Sequence, residues 1–434
     1  MSEPNSASNR RSFLLQSAGA AIAGAALAGR AARAEEEAGK PSELRVGLIG
    51  CGGRGTGAAL QALRADPGVR LVAMADAFED RLDSSLKSLV RQEEIAGRID
   101  VPAERKFVGF DAYKGVLGAD VDVVLLATPP QFRPLHLEAA VEAGKHIFAE
   151  KPVAVDAPGV RRALAASAEA AKRGLSLVSG LCLRYSYGFQ ELVSRIGRGD
   201  LGTPHTVYAN DYRGGIWLRP RQPDWTDMHW QMRNWYYFTW LSGDFNVEQH
   251  VHFLDVAAWA LGNRYPVKAI GMGGRQVRTG AEYGNIFDHH SVVYEYADGA
   301  RLISNTRQIP GCRNEMSASV VGSEGRAEFR ERRAGVWLEH GGSRWTYEGE
   351  DNDIYQTEHD ELFASIRSGK PINNGDYMAQ STLLAIMGRM ATYTGREVTW
   401  EQAMNSTEDL TPEAYAWGPA PEVKISVPGV TELR

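Results

Sequence analysis

The feature that most restricts how this chain can fold is a short apolar run that ends in a glycine turn and resumes at once as a helix-like stretch. Leu44-Arg45-Val46-Gly47-Leu48-Ile49 reads as a buried strand, Gly50-Cys51-Gly52-Gly53-Arg54-Gly55 follows without a spacer, and Thr56 to Leu63 has helical character. In that order a GxGxxG pattern has a physical meaning. The first glycine permits a tight turn, the second lets backbone approach a pyrophosphate, and the third lets the helix sit close to the strand. The helix N-terminus then offers unpaired N–H groups and the positive end of its dipole to phosphate. Glycine-rich turns are common, so the flanking elements carry this reading more than the turn does.

A second apolar strand, Val69 to Ala75, ends at Asp76, close to the ~20-residue offset at which a carboxylate accepts hydrogen bonds from an adenosine ribose. An acid there repels a 2′-phosphate and favours NAD, while Arg54 and Arg81 are near enough in sequence to pair with such a phosphate and keep NADP open. Asp76 also reads as a cap for a helix beginning near Glu79. Val121 to Ala127 is a third apolar run, closed by Thr128-Pro129-Pro130 at the carboxyl end where ligands sit in open α/β sheets. A helical stretch from Leu135 to Ala143, then Gly144, leads to strand Lys145 to Ala149, which ends in Glu150-Lys151-Pro152. A lysine at such a strand end can face the nicotinamide ribose and a substrate hydroxyl; a solvated lysine before a turn is the commoner fate. The cofactor set is Gly50, Gly52, Gly53, Arg54, Gly55, Asp76, Thr128, Pro129, His136, Glu150 and Lys151.

Glu248, His252 and Asp255 stand at i, i+4 and i+7, so one helical face carries all three. That stripe reads as a pocket wall or as a satisfied buried network. A carboxylate–imidazole metal site at these spacings is set aside, because His250 faces elsewhere on the helix and cannot easily join, and no metal is assigned. Between Tyr212 and Trp240 lies an aromatic-rich insertion holding Trp217, Trp225, Trp230, Trp235, Tyr236 and Tyr237 with Arg213, Arg219 and Arg233. Aromatic faces and arginine forks suit a sugar; a packed loop or an oligomer contact is an equal alternative.

The turn GLIGCGGRG, the segment ATPPQFRPLHLEAAVEAGKHIFAEKPVA and the stretch EQHVHFLDVAAWALG together resemble the glucose-fructose oxidoreductase and inositol 2-dehydrogenase family, Gfo/Idh/MocA, from Leu44 to about Glu401. The resemblance implies a catalytic Lys151, often in a cis bond to proline, and a catalytic His252. The family commonly places aspartate four residues ahead of that histidine, where this chain has Glu248. The implied chemistry is hydride transfer between an alcohol carbon of a sugar, cyclitol or glycoside and a nicotinamide. His252 takes the hydroxyl proton, Lys151 steadies the alkoxide and Glu248 orients the imidazole. Arg184, Tyr185, Trp235, Tyr236 and Asp255 join His252 as expected substrate contacts, and the Asp288-His289-His290 group is a further candidate. An NAD-dependent glycoside hydrolase, working by transient oxidation and elimination with Glu248 as an extra acid or base, is the alternative activity.

The expected fold is α/β: a doubly wound Rossmann domain over residues 43–155, then an α+β substrate and oligomerisation domain over 156–405 with an open, mostly antiparallel sheet, and an extended tail over 406–434 reaching a neighbouring subunit. Residues 1–34, with Arg10-Arg11, an Ala/Gly-rich apolar run and Ala32-Arg33-Ala34, resemble a cleavable twin-arginine export signal. Export of a folded nucleotide enzyme to the periplasm implies a tightly held cofactor. The net charge of −6 gives no electrostatic case for nucleic acid, and no stable membrane insertion is expected once the signal is removed. A homodimer or homotetramer is the expected assembly. Cys51, Cys182 and Cys312 are too few and scattered for a disulfide framework and read as small buried apolar residues.

Overall fold

The apolar runs of the first half form β1 (Leu44–Ile49), β2 (Val69–Asp76), β3 (Lys106–Val108), β4 (Val123–Leu126), β5 (His146–Ala149) and β6 (Leu177–Ser179). They lie in the order β3-β2-β1-β4-β5-β6, every neighbouring pair parallel. This computed structural model describes residues 43–330 and 335–434, and Arg45–Arg434 makes one compact body. All four residues of β4 are buried, as a central parallel strand covered by helices on both faces requires. The strand order reverses between β1 and β4, which opens a crevice at their carboxyl ends.

The second half builds β7 (Pro204–Arg213), β8 (Lys268–Gly274), β9 (His289–Glu295), β10 (Arg301–Gln308), β11 (Glu315–Gly322), β12 (Gly325–Arg330), β13 (Trp337–His340), β14 (Ser343–Thr346) and β15 (Val398–Thr399). Their order is β14-β13-β12-β11-β7-β10-β9-β8-β15, and every pairing is antiparallel except β7 with β10. Burial alternates residue by residue along β9 and β10, the mark of a sheet with one packed and one open face. The packed face meets the helices Val251–Ala260 and Gly375–Thr394. The second of these is buried on nearly all sides, because it also lies against the helix Ala157–Lys172. On the open face Ile270 and Met272 are 54% and 74% exposed.

Two expectations change. The first sheet runs to Ser179 because β6 pairs with β5, so the nucleotide domain does not stop at 155. Cys51 and Cys182 are buried, but Cys312 is exposed. The tail packs along its own chain, through contacts that the sequence does not announce. Leu410 N donates to Asp156 at 2.8 Å, Met228 N to the Gly418 carbonyl at 3.0 Å, and the Trp417 ring lies 4.6 Å from that of Phe110. The segment read as an export signal lies outside the described residues.

Candidate active site

A cavity of about 580 Å³ opens at the carboxyl ends of β1, β2, β4 and β5 and is walled on its far side by residues of the second domain. Its floor is the glycine turn. Gly50 has φ +99°, and a Cβ there would meet the Ala127–Thr128 backbone at 2.6 Å. Gly55 packs helix on strand: its Cβ would stand 1.8 Å from the Gly50 carbonyl oxygen. Gly52 and Gly53 line the cavity, and a Cβ on either would meet nothing within 4 Å. That is the cradle a pyrophosphate needs: two glycines that close the turn and two that leave open space beside the N-terminus of the helix Gly53–Ala65. At the end of β2, Asp76 accepts from Cys51 N at 2.6 Å and Phe78 N at 2.9 Å. Burial pushes its carboxyl up.

Arg54 lines the cavity beside the glycine turn, with its guanidinium engaged by protein partners. It donates to Glu150, to Glu358 at 3.1 Å and to Gln61 at 2.8 Å, and its guanidinium lies 4.8 Å from the Tyr355 ring centre. Burial raises the Glu358 carboxyl well above its ordinary value, and Glu150 raises it further. Burial acts the same way on Glu150, but Arg54, Arg133 and Lys151 outweigh it and hold Glu150 ionised. The glycine turn is thereby tied to the strand end that carries Lys151.

Lys151, Glu248 and His252 all line the cavity. The Lys151–Pro152 bond is cis. Lys151 Nζ donates to the Glu248 carbonyl at 2.6 Å and to its Oε1 at 3.2 Å. Burial, then the charges of Lys151, Arg213 and Arg54, push the His252 imidazole well below its ordinary value. It is therefore neutral, and a proton acceptor, at neutral pH. His252 Nδ1 is buried without a hydrogen-bond partner among the described residues, which leaves Nε2 as the nitrogen open to the cavity.

The structure reassigns several residues. Glu248 bonds Lys151, so it does not orient His252. The reason is local: the helix is interrupted, with one turn over Phe245–Glu248 and the next helix over Val251–Ala260. Asp255 lies one turn beyond the cavity, where it accepts from Arg184 twice at 2.8 Å and from Ser381 at 2.7 Å. Arg184, Asp255 and Tyr185 thus make a buried network, with Tyr185 Oη on Asn374 at 2.8 Å, and none of them reaches the cavity. Tyr236 is also buried, accepting from Gln308 Nε2 at 2.5 Å. Asp288 and His290 serve buried structure, His290 between Thr392 at 2.9 Å and Asp244 at 3.2 Å. Of the expected substrate contacts, His252 and Trp235 line the cavity. Thr128, Pro129, His136 and Glu150 line it as well.

Sequence reading missed Arg133 and Tyr355 and named Trp217 only as part of the aromatic insertion; all three line the cavity. Trp217 was inside the aromatic insertion and only its direction was hidden. Arg133 sits in the segment between Thr128 and Lys151, where its charge was a usable signal. Tyr355 arrives from a helix two hundred residues downstream, and nothing local announces it.

A Rossmann sheet with an open pyrophosphate cradle, facing a lysine and a neutral histidine, defines a nucleotide-dependent oxidoreductase. Comparison with known proteins agrees. Residues 44–179 match the description "Oxidoreductase family, NAD-binding Rossmann fold" of Gfo/Idh/MocA proteins, and residues 193–393 match that family's "C-terminal alpha/beta domain". The chain belongs to the Gfo/Idh/MocA oxidoreductase family, and NAD is its cofactor class. Inositol 2-dehydrogenase 3 of Saccharopolyspora erythraea is 26% identical over 287 residues, 65% of this chain and 72% of that protein. Inositol 2-dehydrogenase of Burkholderia lata is 26% identical over 303 residues, 69% and 77% of the two chains. The crystal structure of aldose-aldose oxidoreductase from Caulobacter crescentus complexed with glycerol shares the fold, with a TM-score of 0.65 at 20% identity over 82% of this chain and 99% of that one.

Proposed function

We propose that this protein is a dehydrogenase that moves hydride between a CH–OH carbon of a sugar or cyclitol and NAD held in the cleft. The observation that carries the proposal is that Lys151 and His252 line one cavity together with the glycine cradle. The names of the relatives, inositol dehydrogenases and an aldose oxidoreductase, supply the substrate class. Bound NAD supplies the hydride acceptor. His252 Nε2 takes the hydroxyl proton during oxidation and returns it in the reverse direction. Lys151, held by the Glu248 carbonyl and carboxylate, donates to the same oxygen and stabilises the charge that develops on it. Trp217 and Trp235 present aromatic rings to the C–H faces of the ring substrate. Because Glu248 is committed to Lys151, it is not a spare acid for an elimination route, and direct hydride transfer is the reading retained.

His252→Ala and Lys151→Ala should each lower turnover by about 10²- to 10⁴-fold while NAD still binds. Full activity in either variant sinks the assignment. The proposal extends to export through the twin-arginine segment with a retained nucleotide, and to pairing of two copies through the open sheet face. Periplasmic fractionation, mass spectrometry of nucleotide released from the purified protein, and sedimentation analysis test these in turn.

A further inference from the structure

We infer that Arg81, Arg219 and Arg233 form a second phosphate site at the adenosine end of the cleft, with two of the three arginines delivered from the second domain. The inference rests on the cavity being a dinucleotide site, as proposed above.

All three arginines line the cavity beside Asp76 and Phe78, the end where motif logic puts the adenosine ribose. Arg81 lies in the first turn of the helix Glu79–Val90, and its side chain has no hydrogen bond or ion pair among the described residues. Arg219 and Arg233 come from the aromatic insertion, which sequence reading left open between a sugar contact and a packed loop or oligomer contact. Arg233 is fixed: it donates to both oxygens of Asp80, at 2.9 and 2.6 Å, and its guanidinium lies 3.8 Å from the Phe78 ring centre. Its Nε also faces His229 Nε2 at 3.3 Å. Arg219 is held through its backbone, whose N–H donates to Asn234 Oδ1 at 2.8 Å and whose carbonyl accepts from Asn234 Nδ2 at 3.1 Å. Its side chain has no hydrogen bond or ion pair among the described residues, and its guanidinium lies 5.6 Å from the Trp217 ring centre. Its Nε is buried without a partner, and burial with the charges of Arg81 and Arg233 pushes the guanidinium down from its ordinary value.

Three guanidiniums therefore converge against two carboxylates, and those carboxylates are occupied. Asp80 is taken by Arg233, and Asp76 by the backbone of Cys51 and Phe78. Bringing like charges together around an unpaired buried nitrogen is costly unless an anion joins them. Arginine forks suit phosphate oxygens above other anions of that size. The phosphate chemistry has two sources here, the pyrophosphate approached from the side opposite the glycine turn and a 2′-phosphate on the adenosine ribose.

The purified full chain, stripped of copurifying nucleotide, is titrated calorimetrically with NAD and with NADP. Arg81→Ala and Arg219→Ala should each weaken binding by about 10- to 100-fold, the range for losing a charge-assisted hydrogen bond, and Arg219→Lys should recover part of the loss. Equal weakening for NAD and NADP identifies the pyrophosphate as the ligand; weakening for NADP alone identifies the 2′-phosphate. Wild-type affinity for both nucleotides in both alanine variants overturns the phosphate site and leaves the proposed function intact. Wild-type protein that binds neither nucleotide overturns both. Urea unfolding midpoints equal to wild type show that the variants are folded.

Discussion

The glycine turn allows fold and ligand roles to be separated by one added methyl group at a time. At Gly55 the added Cβ would stand 1.8 Å from the Gly50 carbonyl oxygen, 3.0 Å from its carbonyl carbon and 3.2 Å from Ala127 Cβ. To restore even a 3.0 Å contact, helix and strand must part by 3.0 − 1.8 = 1.2 Å. Both clashing partners are backbone, so no side chain can swing aside. The cost should reach or pass the upper end of ordinary overpacking, about 3 kcal/mol. At Gly52, by contrast, the methyl meets no protein atom within 4 Å, and φ −69° with ψ −177° suits alanine. Gly52→Ala should therefore unfold within about 0.5 kcal/mol of wild type, yet lose NAD affinity because the methyl occupies the space left for pyrophosphate. Gly57→Ala is the control. Its Cβ would meet only Arg54 Nη1 at 3.2 Å, on a guanidinium held by Glu150, Glu358 and Gln61, so the gain in helix propensity is offset by the small shift Arg54 must make and the variant should stay within about 0.5 kcal/mol of wild type. Urea unfolding and NAD titration on the three variants decide the matter. A stable Gly55→Ala, or a Gly52→Ala that binds NAD normally, would refute the assignment of the turn.

Glu248→Gln leaves Lys151 its bond to the backbone carbonyl but replaces the ion pair with a weaker bond to a neutral amide, so kcat should fall by about ten- to a hundredfold with the fold unchanged; undiminished kcat argues against the pairing. For His252 the sign is set by burial and by Lys151, which hold the folded imidazole well below its ordinary value. The acid limb of kcat/KM should thus lie below pH 6.5, and a limb at or above it contradicts a neutral, buried base. His136, His250 and His359 are pushed down from 6.5 to about 3 by burial. Their neutral forms contribute stability that is complete above pH 6.5 and drains as pH falls toward 3, so unfolding midpoints should fall steadily across that window. Asp255→Asn strips the partner from buried Arg184 and should cost about 3–5 kcal/mol of stability with KM unchanged, whereas a KM effect without destabilisation would return Asp255 to the substrate site.

What could be read from the chain was whatever one stretch of sequence decides alone. β1, β2 and β5 appeared at or near their true limits, because apolar runs bounded by turn residues set them locally. β3 was missed because three residues, none of them fully buried, leave no pattern. β13 and β14 form a short, largely exposed hairpin with the same defect. At the site, Lys151 stood out as the end of a sheet strand and His252 through the family resemblance, and both line the cavity. Asp255 was misplaced because helical periodicity gives direction around an axis but not distance along it: the face is shared, but the cavity ends first. Arg219 and Arg233 were left open between a sugar contact and a packed loop because insertion residues carry no register at all, and only packing against Phe78 fixes where Arg233 points and only Asn234 fixes the Arg219 backbone.

The exchange of the family's usual aspartate for Glu248 has a structural consequence. Glu248 closes the short turn Phe245–Glu248, so its carbonyl is among those a helix end leaves for other donors. Lys151 Nζ takes that carbonyl at 2.6 Å and the Glu248 carboxylate at 3.2 Å, so one residue grips the lysine from both main chain and side chain. Lys151, so placed, is one of the charges that keep His252 deprotonated. A side chain thus twice removed from the imidazole helps keep it a base, by fixing a cation next to it instead of by bonding to it. Electrostatics thus favour the neutral imidazole that the proposed chemistry uses, where a direct bond to an ionised carboxylate would have raised its proton affinity.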